Sequence, residues 1–177
     1  LGGVFPGKHE NRFSAKGRTT VPEGFRTVLK AQNTEGDALV ILRPSHTLPC
    51  VEAWPAAVFA HLTQPLDRLD MFSDEHDDLA AALYADAYPM DPDREGRIIL
   101  PDFLRDHAGL TESATAAFMG VGRTFQIWEP KAAEQRRAEA RLRSRRISLP
   151  TRQNGGAACC PFYPSDPADA EARVAFV

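Results

Sequence analysis

The chain has 177 residues, of which 43% are apolar and 25% are charged, as in an ordinary globular protein of one domain or two very small ones. Its formal net charge is −3, and no window approaches the roughly 18 consecutive apolar residues of a transmembrane helix. The N-terminus has no apolar segment followed by a cleavage site, so a signal peptide is not expected. Three cysteines (Cys50, Cys159 and Cys160) are too few for a disulfide framework and indicate reduced thiols in a cytoplasmic protein.

Charge is distributed unevenly along the chain. Residues 8–43 carry seven basic residues against four acidic ones, and residues 65–90 carry seven acidic residues against Arg68 alone. Residues 131–152 carry eight basic residues against two acidic ones. Because screening limits the reach of a charge to roughly 8 Å at physiological salt, separated blocks matter more to a polyanion than their sum. The net charge of −3 therefore does not exclude a nucleic acid as the binding partner.

An internal repeat organises the chain. Residues 13–26 have the sequence FSAKGRTTVPEGFR, and residues 92–105 have the sequence PDREGRIILPDFLR. The Gly-Arg pair, the proline and an apolar-Arg pair align at a constant offset of 79 residues. Two copies are too few for a solenoid, so the repeat predicts a pseudo-symmetric pair of half-units.

The first half-unit is predicted to span residues 4–55. A turn at Lys16-Gly17 joins two strands, and Pro22 suits the first position of a helix whose apolar face contains Phe25 and Leu29. Strands are predicted at residues 38–42 and 50–54 from their β-prone composition.

Residues 56–87 are predicted to form an acidic helical connector. Its apolar stripe includes Leu62, Leu66 and Phe72, and Asp74 is the expected N-cap of its second helix.

The second half-unit is predicted to span residues 88–130. A turn at Glu95-Gly96 is followed by a helix that begins at Pro101 and ends at Gly109, with Phe103, Leu104 and Ala108 on its apolar face. Strands follow at residues 115–119 and 125–128. Residues 131–147 are predicted to be a basic helix, and residues 148–177, rich in helix breakers, a disordered tail.

The twin signatures SAKGRTTVP and DREGRIILP resemble the MraZ family of bacterial transcription regulators, which carry two AbrB-like halves in one chain. The start VFPGKHENRF, the strand GVGRTFQIW and the acidic connector add to the resemblance. It implies an α+β fold in which both halves build a swapped-hairpin β-barrel of the AbrB type. It also implies a ring-like homo-oligomer that binds short direct repeats in the promoter of the division and cell-wall gene cluster. The expected location is cytoplasmic and nucleoid-associated, with no membrane and no small-molecule substrate.

The first signature departs from the family pattern at one position. The family has an aspartate four residues before the arginine of each Gly-Arg pair, and the second half keeps it as Asp93 before Arg97. The first half has Ser14 before Arg18. A neutral serine cannot form the charge-assisted pair that would orient Arg18, so whether this half still contacts DNA is left open.

Cations at and beside the two turns are the candidate DNA-binding residues, because a hairpin tip with two cations can approach phosphates or base edges. Spacing alone favours a different role for Arg97, which could pair with Asp93 and staple its hairpin. The resemblance favours DNA contact for Lys16 and Arg18. The candidate DNA-binding set is Lys16, Arg18, Arg12, Arg94 and Arg97, and the candidate turn residues are Ser14, Gly17, Pro22, Asp93, Gly96 and Pro101.

Other basic residues have simpler expected roles. Lys8 is predicted to be a solvated charge on an edge strand, and Arg26 and Arg105 are predicted to form ion pairs or caps. The arginine run from Arg136 to Arg146 could equally track phosphates or form a solvated helix face that meets the acidic connector.

The sequence has none of the patterns typical of an enzyme. Its five histidines are scattered without metal-ligand spacing, and the acidic run at residues 74–78 would splay around a helix. We therefore expect no metal, no cofactor and no covalent chemistry. Two alternatives to a transcriptional regulator remain open, namely an AbrB-type antitoxin and a protein-interaction scaffold without specific DNA binding.

Overall fold

Each half-unit consists of two strands, a helix and two further strands, in that order along the chain. The structure is a computed structural model that describes residues 3–32, 40–111 and 113–149. The strands are β1 (Lys8–Arg12), β2 (Arg18–Thr20), β3 (Val40–Pro44), β4 (Val51–Pro55), β5 (Tyr88–Met90), β6 (Arg97–Ile99), β7 (Thr115–Gly120) and β8 (Phe125–Trp128). The α-helices are α1 (Glu23–Gln32), α2 (Ala56–Phe59), α3 (Thr63–Leu66), α4 (Asp74–Ala80), α5 (Asp102–His107) and α6 (Pro130–Ser144), with a 3-10 helix at Ala60–Leu62 and a π-helix at Ala81–Ala85.

The sheets interleave the two halves. Six strands form an antiparallel sheet in the order β1-β7-β8-β4-β3-β5. If each strand is replaced by its equivalent in the other half (β1 by β5, β3 by β7, β4 by β8), the same order results, read from the opposite edge. Strand β1 of the first half pairs with β7 of the second, and β5 of the second half pairs with β3 of the first. The predicted α+β class is confirmed. The described strands nevertheless do not close into one hydrogen-bonded barrel, because β2 and β6 pair with each other as a separate two-stranded ribbon.

The hydrophobic core lies between the large sheet, the ribbon and the two half-unit helices. Phe25 of α1 packs against Phe5 and Phe125, with ring centroids 5.3 Å and 5.1 Å away. Because both halves supply equivalent positions, the core is continuous across the repeat. The equivalent buried pairs are Val21 with Leu100, Phe25 with Leu104, and Leu29 with Ala108.

The half-unit helices begin one residue later than predicted. Pro22 and Pro101 precede α1 and α5, and their carbonyls accept from the backbone N–H groups of Arg26 (3.0 Å) and Arg105 (3.1 Å). Proline suits the position before the helix for two reasons. Its carbonyl accepts the first hydrogen bond of the helix, and a backbone N–H at this position would have no acceptor within the helix. Phe103, predicted to be apolar core, is 43% exposed.

The connector is helical, as predicted, but its helix begins differently. Ser73 caps α4 by accepting from the N–H of His76 at 3.2 Å, so the predicted cap Asp74 is instead the first helical residue. Leu62 and Leu66 are buried, whereas Phe72 is 94% exposed because it lies in the loop before α4.

The C-terminal helix α6 begins at Pro130, where the carboxylate of Glu129 caps it by accepting from the N–H of Ala132 at 2.9 Å. It ends at Ser144 rather than near residue 147. The predicted tail from residue 150 onward, the two tail cysteines and the predicted strand residues 38 and 39 lie outside the described residues. None of the helices among residues 3–32, 40–111 and 113–149 has the length and apolar character needed to cross a bilayer.

Two glycines give a matched test of backbone packing. A Cβ at Gly120 would lie 2.0 Å from the carbonyl oxygen of Phe5, whereas a Cβ at Gly24 of α1 would meet nothing within 4 Å. We expect Gly120→Ala to destabilise the protein, because backbone cannot move as a flexible side chain can. Gly24→Ala should stabilise it by about 0.4–1 kcal/mol by restricting the unfolded chain. Chemical unfolding at equal protein concentration measures both; equal effects would contradict the close approach of Phe5.

Candidate nucleic-acid interface

Two tight turns of the same design flank the ribbon. The N–H of Gly17 donates to the carbonyl of Ser14, and the N–H of Gly96 donates to the carbonyl of Asp93, both at 2.8 Å. Both glycines have positive φ, 75° and 80°, a backbone conformation that side chains with a Cβ rarely adopt. The predicted roles of these glycines in turns agree with this geometry.

Each turn is held by an arginine from the opposite half. The Nη1 of Arg105 donates to the carbonyl of Ala15 at 2.8 Å, and the Nη1 of Arg26 donates to the carbonyl of Glu95 at 3.3 Å. Arg105 also pairs with Asp102 of its own helix. Sequence reasoning predicted ion pairing or capping for both arginines, but missed that they join the two halves. The repeated apolar-Arg pair at a constant offset was the signal for this role.

The ribbon presents one buried and one outward face. Its central pair, Thr19 with Ile98, is buried. Arg18 is exposed and lies opposite Ile99, and Arg97 is two residues away from Ile99 on the same strand. Alternation of side chains therefore places Arg18 and Arg97 together on the outward face, as diagonal neighbours about 7–8 Å apart.

An open groove runs along one side of the ribbon; we name it the arginine groove. Its lining includes three arginines, three residues with hydroxyl groups and two apolar residues, namely Arg12, Arg18, Arg97, Ser14, Thr19, Thr20, Phe13 and Ala114. None of the described residues that line it is acidic. Three cations with hydroxyl donors between them suit an anionic ligand with several acceptor oxygens, such as a phosphate backbone.

A second groove on the other side of the ribbon has a different charge balance. Arg18 and Arg97 also line it, but Asp91 and Asp93 lie there with the apolar side chain of Ile99. Its carboxylates make it the less attractive of the two for a polyanion.

The five candidate cations are only partly brought together. Arg12, Arg18 and Arg97 meet in the arginine groove. Lys16 and Arg94 are exposed on the two turns, which lie at opposite ends of the ribbon because β2 and β6 are antiparallel. The structure thus places the two tip cations, Lys16 and Arg94, at opposite ends of the ribbon.

The two ribbon arginines differ in their partners. The Nε of Arg97 donates to Oδ2 of Asp93 at 2.7 Å, and its Nη2 donates to Oε2 of Glu95 at 2.9 Å. Hydrogen bonds from the backbone and side chain of Arg97 hold the pKa of Asp93 below its ordinary value. The pair of Arg97 with Asp93 that was considered as a hairpin staple is therefore present, but the expected hairpin is wrong, because the strands before and after each turn lie in different sheets. No residue that the structure describes bonds to the guanidinium of Arg18.

Other basic residues are engaged in ion pairs. Lys8, predicted to be solvated, is only 14% exposed and pairs with Glu10 at 2.6 Å and with Glu134 of α6. Within α6, Arg137 pairs with Glu134 at 3.0 Å and Arg143 pairs with Glu139 at 3.5 Å. Part of the arginine run is thus neutralised within its own helix.

Among the residues that the structure describes, no three His, Cys, Asp or Glu side chains are grouped so that they could hold a metal ion. Burial raises the pKa of the Cys50 thiol to about 12, which keeps it protonated at neutral pH.

The chain is similar to proteins of one named family. Residues 83–152 match the family model described as "MraZ protein, putative antitoxin-like". A protein of Gluconacetobacter diazotrophicus named Transcriptional regulator MraZ is 71% identical over 156 residues, which cover 87% of this chain and 98% of that protein. Proteins with the same name from Gluconobacter oxydans and Parvibaculum lavamentivorans are 58% and 39% identical, over 84% and 78% of this chain and 90% and 84% of their own lengths.

Proposed function

The chain belongs to the MraZ family, and on that premise we propose that it is a transcriptional regulator that binds duplex DNA with the outward face of its ribbon. The proposed ligand is a set of short promoter repeats of the division and cell-wall gene cluster. The proposed DNA contacts come from Arg12 and Arg18 in the arginine groove, with Lys16 and Arg94 at the ends of the ribbon, and Arg97 lies beside them in the same groove. The proposal includes no covalent chemistry and a nucleoid-associated location.

The observation that carries this proposal is the convergence of three arginines on one groove that no described acidic residue lines. A two-stranded ribbon with exposed arginines is narrow enough to approach a groove of B-DNA. The rest of the molecule supports this face, because Arg26 and Arg105 fix the two turns between which the ribbon extends.

The finer architecture is also part of the proposal. The exchange of β1 and β5 between the two halves supports a swapped-hairpin arrangement related to AbrB-like proteins. We propose that several copies assemble into a ring that presents the ribbons at regular spacing. Tandem DNA repeats would then be bound with a high effective concentration, which offsets the few contacts of one ribbon.

A mobility shift with the protein's own upstream DNA, accompanied by mass measurement in solution, tests the proposal. We expect a shift with that DNA and a much weaker one with a shuffled sequence of equal length. Equal binding to both would favour the scaffold alternative. Because the matching family model carries the words antitoxin-like, the antitoxin remains the second candidate, and a co-purifying toxin would favour it.

Salt dependence gives a further prediction. If each ribbon neutralises about three phosphates, the logarithm of affinity should fall with the logarithm of salt with a slope of about −2.7 per ribbon engaged. A fourfold rise in salt would then weaken binding by about 40-fold for each ribbon. Fluorescence anisotropy at several salt concentrations measures the slope, and an affinity that salt leaves unchanged would rule out the arginine groove as the DNA contact.

A further inference from the structure

Building on the proposed function, we infer that the two halves are unequal DNA-binding units and that position 14 sets the difference. Arg18 of the first half contacts DNA directly. Arg97 of the second half stays bound to Asp93 and Glu95 and acts as a positioning residue that orders the ribbon. Each protomer therefore offers one engaged ribbon arginine to DNA instead of two.

The backbones of the two turns are alike, so the difference between them is one of charge. The Oγ of Ser14 accepts from the backbone N–H of Arg18 at 3.1 Å, and Oδ1 of Asp93 accepts from the backbone N–H of Arg97 at 2.8 Å. The serine hydroxyl thus replaces the carboxylate in shaping the turn. It does not replace the second carboxylate oxygen, which binds the guanidinium of Arg97.

Arg97 has to give up existing bonds before it can bind DNA. Two carboxylates, from Asp93 and Glu95, hold its guanidinium. Since the pKa of Asp93 lies below its ordinary value, this pair is fully ionised at neutral pH. A phosphate approaching Arg97 would also meet the two negative charges that already neutralise it.

Arg18 has no comparable cost. Within residues 3–32, 40–111 and 113–149, no side chain pairs with its guanidinium, and it faces a groove shared with Arg12 and Arg97. In the arginine groove, the charge of Arg12 favours an anion beside this guanidinium, whereas the second groove that Arg18 lines also has the carboxylates of Asp91 and Asp93. Arg18 is therefore the ribbon arginine that is ready to donate to DNA acceptors.

Substitutions at the two turns test this inference by exchanging their charges. We expect Ser14→Asp to weaken binding to the upstream DNA by about fivefold per engaged ribbon, because an exposed ion pair of up to roughly 1 kcal/mol must then be broken. Ser14→Asn, which keeps a backbone acceptor without charge, should bind as the unchanged protein does. Asp93→Asn should strengthen binding, whereas Asp78→Asn, which removes the same charge from α4, should not.

Anisotropy titrations of all four variants, checked for unchanged melting temperature and oligomer mass, separate the outcomes. Equal affinities of Ser14→Asp and Ser14→Asn, or weaker binding by Asp93→Asn, would overturn the inference while leaving DNA binding intact. Failure of the unchanged protein to prefer its upstream DNA would instead overturn the proposed function.

Discussion

Arg18→Ala is expected to reduce affinity for the upstream DNA at least tenfold while leaving the oligomer and its melting temperature unchanged. A well-oriented arginine at a DNA acceptor contributes about 1–3 kcal/mol, and the loss is compounded when several ribbons bind one DNA. Arg18 is exposed and unpaired among the described residues, so its removal leaves no buried group without a partner. Anisotropy measures the affinity, and light scattering measures the mass.

The matched control is Arg145→Ala, which removes the same charge from an exposed residue just beyond α6. It should bind DNA nearly as well as the unchanged protein. An equal loss in both variants would show that only the total charge matters. Loss of the oligomer together with DNA binding in Arg18→Ala would show that Arg18 is structural.

Arg43→Met is expected to lower the free energy of unfolding by about 3–5 kcal/mol, the largest stability effect we predict. Arg43 is 2% exposed and pairs with Glu52 at 2.7 Å; it also donates to the carbonyl of Ala82 at 3.2 Å and lies 5.9 Å from the ring centre of Trp54. Without Arg43, the largely buried carboxylate of Glu52 loses its counter-charge. Urea unfolding at fixed protein concentration measures the change.

The double variant Arg43→Met with Glu52→Gln separates the cost of an uncompensated charge from the value of the pair. The glutamine keeps an oxygen acceptor for the indole N–H of Trp54, which donates to Glu52 at 3.1 Å. Most of the lost stability should return in the double variant. If the double variant is as unstable as Arg43→Met alone, the buried charge is not the cause of the loss.

The duplicated signature predicted the two turns, the strands beside them and the helices that follow, because these depend on local residue types. Gly17 and Gly96 have the positive φ values that glycine was expected to supply, and β8 has the predicted bounds. The acidic connector was also predicted, although its cap at Ser73 was assigned to the neighbouring residue.

The pairing of strands between the halves was not available from local patterns. Residues 18–20 contact residues 97–99, far away in the sequence, and composition does not encode such pairings. The cross-half bonds of Arg26 and Arg105 depend on that pairing, and the ion pair of Lys8 with Glu134 of α6 depends on the pairing of β1 with β7. The buried ion pair of Arg43 with Glu52 could not be predicted from the sequence. Each residue is a single charge in a mostly apolar strand, and nothing in either strand marks the other as its partner.

Photo-crosslinking from the outward face of the ribbon tests the central claim most directly. A photoreactive amino acid replaces Ile99, which is 51% exposed opposite Arg18, or Phe72, which is 94% exposed in the acidic connector. Each protein is irradiated with the upstream DNA, and the crosslinked fraction is measured. Our account predicts efficient crosslinking from position 99 and little from position 72. A protein that binds this DNA but crosslinks from position 72 and not from position 99 would contradict it.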